Sequence, residues 1–118
     1  MQKSMENSVP KQAGFHYFQD TNHYRQEDLK IWLPHLKELN TGWIVLKSDK
    51  NRAIPEEFIE TLIKENITPI IEFNLPIQKN YGTRELKLLL QVYARWGIKY
   101  CIFFNTGRRK LIFFFKNV

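Results

Sequence analysis

One cysteine is all this sequence contains, at Cys101. An internal disulfide is therefore excluded, and no cysteine pair has the spacing of a zinc site. Cys101 lies within the apolar run Tyr100-Cys101-Ile102-Phe103-Phe104, where a free thiol packs as a small hydrophobe. Glycine is sparse, at five residues. None of the short apolar runs leads into the glycine-rich turn of a dinucleotide or phosphate loop. Long hydrophobic runs are missing too. Even a run such as Leu111–Phe115 falls far short of the ~20 residues that span a bilayer. The stretch Met1–Gly14 is polar and has no signal-peptide core. These absences set the expectation of a cytoplasmic protein with no membrane partner. No Ser-His-Asp spacing and no His/Cys/Asp/Glu cluster is present, so neither a cofactor nor a metal is expected.

Acidic residues are lacking only at one end. The 18 Lys and Arg outnumber the 12 Asp and Glu, for a net charge of +6. Arg108, Arg109, Lys110 and Lys116 all follow Thr106, with no acid among them. Without those four, 14 basic residues face 12 acidic ones, a net of +2. The basicity belongs to the tail. It forms no stripe interleaved with aromatics, and no nucleic-acid partner is expected.

What the sequence does have is a repeated switch of period. At 118 residues it is one domain by length, and 43% apolar with 14% aromatic residues is enough for a core. Short apolar runs alternate with helical stripes in three units, Gly14–Leu39, Gly42–Glu65 and Ile67–Trp96. The predicted strands are Gly14–Phe18, Trp43–Leu46, Ile67–Phe73 and Ile98–Phe104. Leu29, Trp32, Leu33, Leu36 and Leu39 define the face of a first helix over Arg25–Leu39, which Pro34 should kink or split. Ile54-Pro55-Glu56-Glu57 starts a second helix, with Pro55 suited to its first position, and Asn66 suits its end. Thr83 caps a third, whose stripe of Leu86, Leu89, Leu90, Tyr93 and Trp96 stops at Gly97.

Strand–helix alternation of this kind predicts an α/β fold, a parallel (βα)3-4 sheet with right-handed crossovers. The expected core is Leu29, Trp32, Leu36, Ile44, Leu46, Phe58, Leu62, Ile71, Leu86, Leu89, Leu90 and Tyr93. A complete β/α barrel needs about 250 residues, so the chain reads as half of a TIM-type barrel or as a small open sheet. Residues 1–13 read as a flexible leader, 14–105 as the partial barrel and 106–118 as an atypical hydrophobic and basic tail. That tail is either a return strand or the product of an altered reading frame.

Ligands of such sheets bind outside the carboxyl ends of the strands. His16, Lys47, Glu72, Asn74 and Asn105 are the candidate substrate-binding residues, with Tyr17, the loop Gln19–His23 and Asp49 nearby. A lone histidine at His16 is more often a packed or hydrogen-bonded structural residue than a ligand-binding one. His23 reads as an exposed loop residue, and His35, Glu56, Glu57 and Glu60 as helix surface. Glu72 is the one catalytic candidate, because a charge within an apolar strand must reach a wet crevice or find a partner. The partner would be Lys47 on the neighbouring strand.

Three stretches resemble glycosidase-type TIM barrels, the clan A glycoside hydrolases. They are Glu57–Phe73, Tyr93–Tyr100 and Phe103-Phe104-Asn105. The resemblance covers roughly residues 14–105 and implies a hydrolase of carbohydrate metabolism. In that clan the fourth strand ends in Asn-Glu. The Asn touches a sugar hydroxyl and the Glu is the general acid/base. Asn105 matches, but Thr106 stands where the Glu belongs and Gly107 where Pro is common. The nucleophilic carboxylate comes from a later strand, and retaining glycosidases need both carboxyls about 5 Å apart.

The resemblance thus implies a truncated, inactive barrel fragment whose possible partner is a carbohydrate. The competing reading is a non-catalytic α/β module for binding or assembly, with self-association through sheet edges or the tail. Deleting residues 107–118 separates the two readings of the tail. Higher solubility on sedimentation marks a foreign segment, and loss of the cooperative unfolding transition marks a strand of the fold.

Overall fold

The computed structural model describes residues 13–49, 51–74, 83–105 and 108–113, with side chains over 13–49, 51–74 and 84–103. The leader up to residue 12, the loop 75–82 and the acid/base position at Thr106 lie outside the described residues. The elements are β1 (Ala13–His16), α1 (Gln26–Glu38), β2 (Thr41–Lys47), α2 (Glu56–Lys64), β3 (Thr68–Asn74), α3 (Thr83–Arg95), β4 (Tyr100–Asn105) and β5 (Arg108–Phe113). They form one sheet in the order β1-β2-β3-β4-β5. The first four strands are parallel, each beside its sequence neighbour. This is the α/β architecture expected from the alternating periods. β5 runs antiparallel along the whole of β4, from Tyr100↔Phe113 to Asn105↔Arg108.

Sequential order with right-handed crossovers places every helix on the same face of the sheet. The core has that form. Ile44, Leu46, Ile71, Phe73 and Cys101 from the strands join Leu29, Phe58, Leu62, Leu89 and Tyr93 from the three helices in one buried cluster. Of the expected core, Leu86 and Leu90 are only partly buried. Trp32 corrects the expectation outright, at 39% exposed. α1 packs against β2 and α2 at one end of the helix layer, so only part of its apolar face has a neighbour. The Trp32 indole packs edge-on against Phe18 instead, with ring centroids 5.7 Å apart. Burial pushes the Cys101 thiol up, away from the reactive thiolate.

All three helices stop by the same device. Asn40, Asn66 and Gly97 take positive φ values of 56°, 63° and 99°. The Asn66 N–H donates to the Ile63 carbonyl and the Ile67 N–H to Leu62, at 3.0 and 2.9 Å. Gly97 and Ile98 repeat the pattern on Ala94 and Tyr93, at 3.1 and 3.0 Å. This is the Schellman arrangement, which needs a residue at ease in the left-handed region. It satisfies the last carbonyls and turns the chain back toward the next strand.

Pro34 neither ends nor splits α1, which runs unbroken from Gln26 to Glu38. Pro34 and Lys30 both lie on the exposed side, so the carbonyl four residues back that loses its partner faces water. Pro55 sits in the cap before α2 rather than at its first position. Among the described residues, no helix is long and apolar enough to cross a membrane.

On the face without helices, the Trp43 ring lies directly over Gly14. A Cβ at Gly14 would meet it at 1.9 Å. The absent side chain is what lets the indole lie flat across β1. Gly14→Ala is expected to displace the ring and destabilise the fold by about 1–3 kcal/mol, as overpacking does. Urea unfolding and Trp fluorescence check this, and a Trp43→Leu background should recover most of the loss.

Candidate binding site at the carboxyl edge of the sheet

Parallel strands in sequential order bring all four carboxyl ends to one edge. His16, Lys47, Asn74 and Asn105 are the last residues of β1, β2, β3 and β4. Lys47 is in register with Glu72, and Glu72 with Ile102. Both alternate with core residues, Leu46 on one strand and Ile71 and Phe73 on the other. They therefore occupy the face away from the helices. Glu72 is buried, at 8% exposed, and it is engaged with a neighbour. Asn74 is exposed, and the Asn105 side chain lies outside the described residues. His16 is exposed and borders an apolar groove of about 260 Å³ with Phe15, Phe18, Trp32 and Leu36.

A polar cleft of about 370 Å³ opens at the same edge, between the β1–α1 loop and the β2–α2 loop. Asn22, Tyr24 and Arg25 line it from the first loop, and Asp49, Arg52 and Ile54 from the second. Of the residues expected near a site, Asp49 and the loop reaching Asn22 are in this wall. His16, Lys47, Glu72 and Asn74 do not line the cleft; the Lys47 carbonyl anchors the Tyr24 hydroxyl behind it.

Tyrosine hydroxyls fix both walls. Tyr24 Oη donates to the Lys47 carbonyl at 2.7 Å, tying the first loop to the end of β2. Tyr17 Oη donates to the His23 carbonyl at 2.7 Å. Tyr93 rises from α3 with its ring fully buried. Its hydroxyl accepts from the Ile54 N–H at 2.9 Å and lies 2.7 Å from Ser48 Oγ. Ser48 Oγ donates to the Asp49 carbonyl at 2.9 Å, so the Tyr93 proton points to Ser48. The loop carrying Asp49 and Arg52 is thereby clamped at both ends by one side chain.

Within the first loop, Asp20 accepts from the Asn22 N–H at 2.9 Å and pairs with His23 Nδ1 at 2.7 Å. The Asn22 N–H, then His23, hold the Asp20 carboxyl below the usual carboxylate range. The His23 ring also stacks on Phe18, with centroids 3.7 Å apart. His23 is thus a loop-building residue, while His35 lies on the exposed surface of α1.

Sequence reasoning missed Arg25, Arg52 and the clamping roles of Tyr24 and Tyr93. The arginines looked like ordinary loop polarity, and no local signal marked them. Tyr93 was legible only as one apolar position of a stripe. Among the described residues no group of His, Cys, Asp and Glu is arranged to hold a metal ion. No family model, curated protein or solved structure matches the chain.

Burial pushes the Tyr93, Tyr24 and Tyr17 hydroxyls up. Their ordinary value is about 10. In the unfolded chain they ionise there while the folded protein keeps them neutral. The folded state then holds more protons, so stability is full below about pH 10 and falls as pH rises beyond it. Urea midpoints between pH 8 and 11, with tyrosinate absorbance, should show that fall. Tyr93→Phe should lower stability by about 1–3 kcal/mol at neutral pH, because the buried Ile54 N–H loses its acceptor, and should flatten the alkaline slope.

Proposed function

We propose that this chain is a glycosidase-like half of a β/α barrel that binds a carbohydrate at the carboxyl edge of its sheet and does not hydrolyse it. The observation that carries the reading is the polar cleft between the first two βα loops, on the edge where such folds bind ligands. Its volume lies within the usual range for small-molecule sites. The Asn22 amide and Asp49 carboxylate are suited to sugar hydroxyls, and the clamped loops present them in fixed positions. Parallel strands in sequential order, with helices on one face, agree with a barrel half.

The chemistry of this edge does not support hydrolysis. Thr106 occupies the place of the acid/base glutamate in the resemblance, and a threonine hydroxyl does not protonate a leaving group near neutral pH. Loss of a general acid alone removes a factor of about 10²–10⁴. At the β4 edge, where a barrel would add its next parallel strand, antiparallel β5 is paired.

A second reading, assembly with another copy of the chain, has one observation in its favour. Phe15 on β1, Ile31 and Trp32 on α1 and Leu39 at its C-cap are exposed apolar residues. Among the described residues β1 pairs with β2 alone.

Calorimetry and NMR against a panel of mono- and oligosaccharides, with chromogenic glycosides alongside, test the proposal. Saccharide binding without chromophore release is expected. Asn22→Ala and Asp49→Ala should each weaken it by about three- to tenfold, the worth of one or two hydrogen bonds. Turnover, or no binding across the panel, would count against it. A defined dimer by light scattering with no saccharide binding would favour assembly.

A further inference from the structure

We infer that the saccharide taken by this cleft carries an anionic group, a phosphate or a carboxylate, and that Arg25 and Arg52 receive it. The inference rests on the carbohydrate-binding reading above and names its ligand class. Three observations carry it.

The first is charge. The residues lining the cleft include two arginines, Arg25 and Arg52, and one acid, Asp49, a net of +1. Among the described residues neither arginine has an ion-pair partner. Two nearby acids, Asp20 and Asp28, are engaged elsewhere. Asp20 is held by Asn22 and His23, and Asp28 accepts the Arg25 backbone N–H at 3.0 Å. That last bond engages the main chain of Arg25 and leaves its guanidinium uncommitted. Glu56 and Glu57 begin α2 but do not line the cleft.

The second is geometry. The arginines stand on opposite walls, one in each loop, and each wall is fixed by a tyrosine. Arg25 follows Tyr24, whose hydroxyl is bonded to Lys47 at 2.7 Å. Arg52 lies in the loop held by Tyr93 at Ser48 and Ile54. The bases of both side chains are thus positioned before any ligand arrives, which reduces the ordering that binding requires.

The third is chemical match. A guanidinium presents a planar fork of donors that fits the paired oxygens of a carboxylate or phosphate. Thr21 and Asn22 in the same cleft offer hydroxyl-scale contacts to the rest of a sugar. A neutral sugar would use the second set and leave both cations facing only water.

Calorimetry on the full chain would compare a set of hexoses in three forms: the neutral sugar, its 6-phosphate and its uronate. Inorganic phosphate serves as the bare anion. At least one anionic form should bind about tenfold or more tighter than its neutral parent, the worth of one charge-assisted hydrogen bond. Whether the phosphate or the uronate leads identifies the source of the anion.

The preference should shrink as salt rises. It should also disappear in Arg25→Gln/Arg52→Gln, where neutral and anionic forms should bind alike. Both arginines are exposed, so the variant should keep the wild-type unfolding midpoint. Equal binding of neutral and anionic forms would overturn this inference and leave the carbohydrate reading standing. A preference that survives in the double variant would overturn the assignment to these arginines. No binding of any sugar form, with or without inorganic phosphate binding, would remove both.

Discussion

One-sided packing is the constraint on which this structure depends. Four parallel strands follow one another in sequence order, and each crossover returns to the next position in the sheet. A right-handed crossover leaves its helix on the same side every time. The helices therefore share one apolar layer with one face of the sheet, and the buried cluster draws on all of them. The opposite face is treated differently. It carries Trp43 lying over Gly14, and Lys47 and Glu72 in register. A doubly wound sheet would have covered those positions with helices. Here β2 and β3 combine a continuous helix-side core with a second face of mixed polarity.

The same constraint places the candidate site. Sequential parallel strands put every βα loop on one edge, so two loops distant in sequence form the walls of one cleft. The link between core and cleft is made by tyrosines. Tyr93 is fully buried as a ring, yet its hydroxyl reaches the loop after β2. Tyr24 is nearly as buried and reaches the end of β2 from the other side. A phenol suits this place because its body gains from burial and its tip needs a partner. Removing the hydroxyl would leave the packing and release the loop. The position of Arg52 therefore depends on a residue that touches no ligand.

Much of the fold was legible from period and punctuation. The helical stripe ending at Gly97 and the stop at Asn66 were read directly, because a left-handed residue after an apolar stripe has few other uses. Leu29, Phe58, Leu62, Leu89 and Tyr93 were recognisable as core from spacing alone. The same spacing put Trp32 in the core and the structure leaves it 39% exposed, since a stripe records which face is apolar and not how much of it finds a neighbour. Pro34 misled for a related reason. Its missing bond matters only where water cannot reach the freed carbonyl, and that depends on which way the helix faces. The site was less legible still. His16, Lys47 and Asn74 end their strands, with Glu72 two residues short of the end of β3, so strand position alone brings them to or near the carboxyl edge. Arg25 and Arg52 sit in polar loops with no pattern around them.

The sequence by itself determined the local choices: where strands and helices lie, which residues end them, and that strands and helices alternate. Those follow from side-chain period, backbone preference at Asn40, Asn66 and Gly97, and the absence of competing motifs. Tertiary structure alone decided which apolar residues are covered, that antiparallel β5 closes the β4 edge, and which polar side chains meet across a cleft. The reason is physical. Period and propensity act between residues a few positions apart. The placing of Arg25 and Arg52 on one cleft, or the meeting of Tyr93 with Ser48 and Ile54, depends on the order and handedness of whole strands.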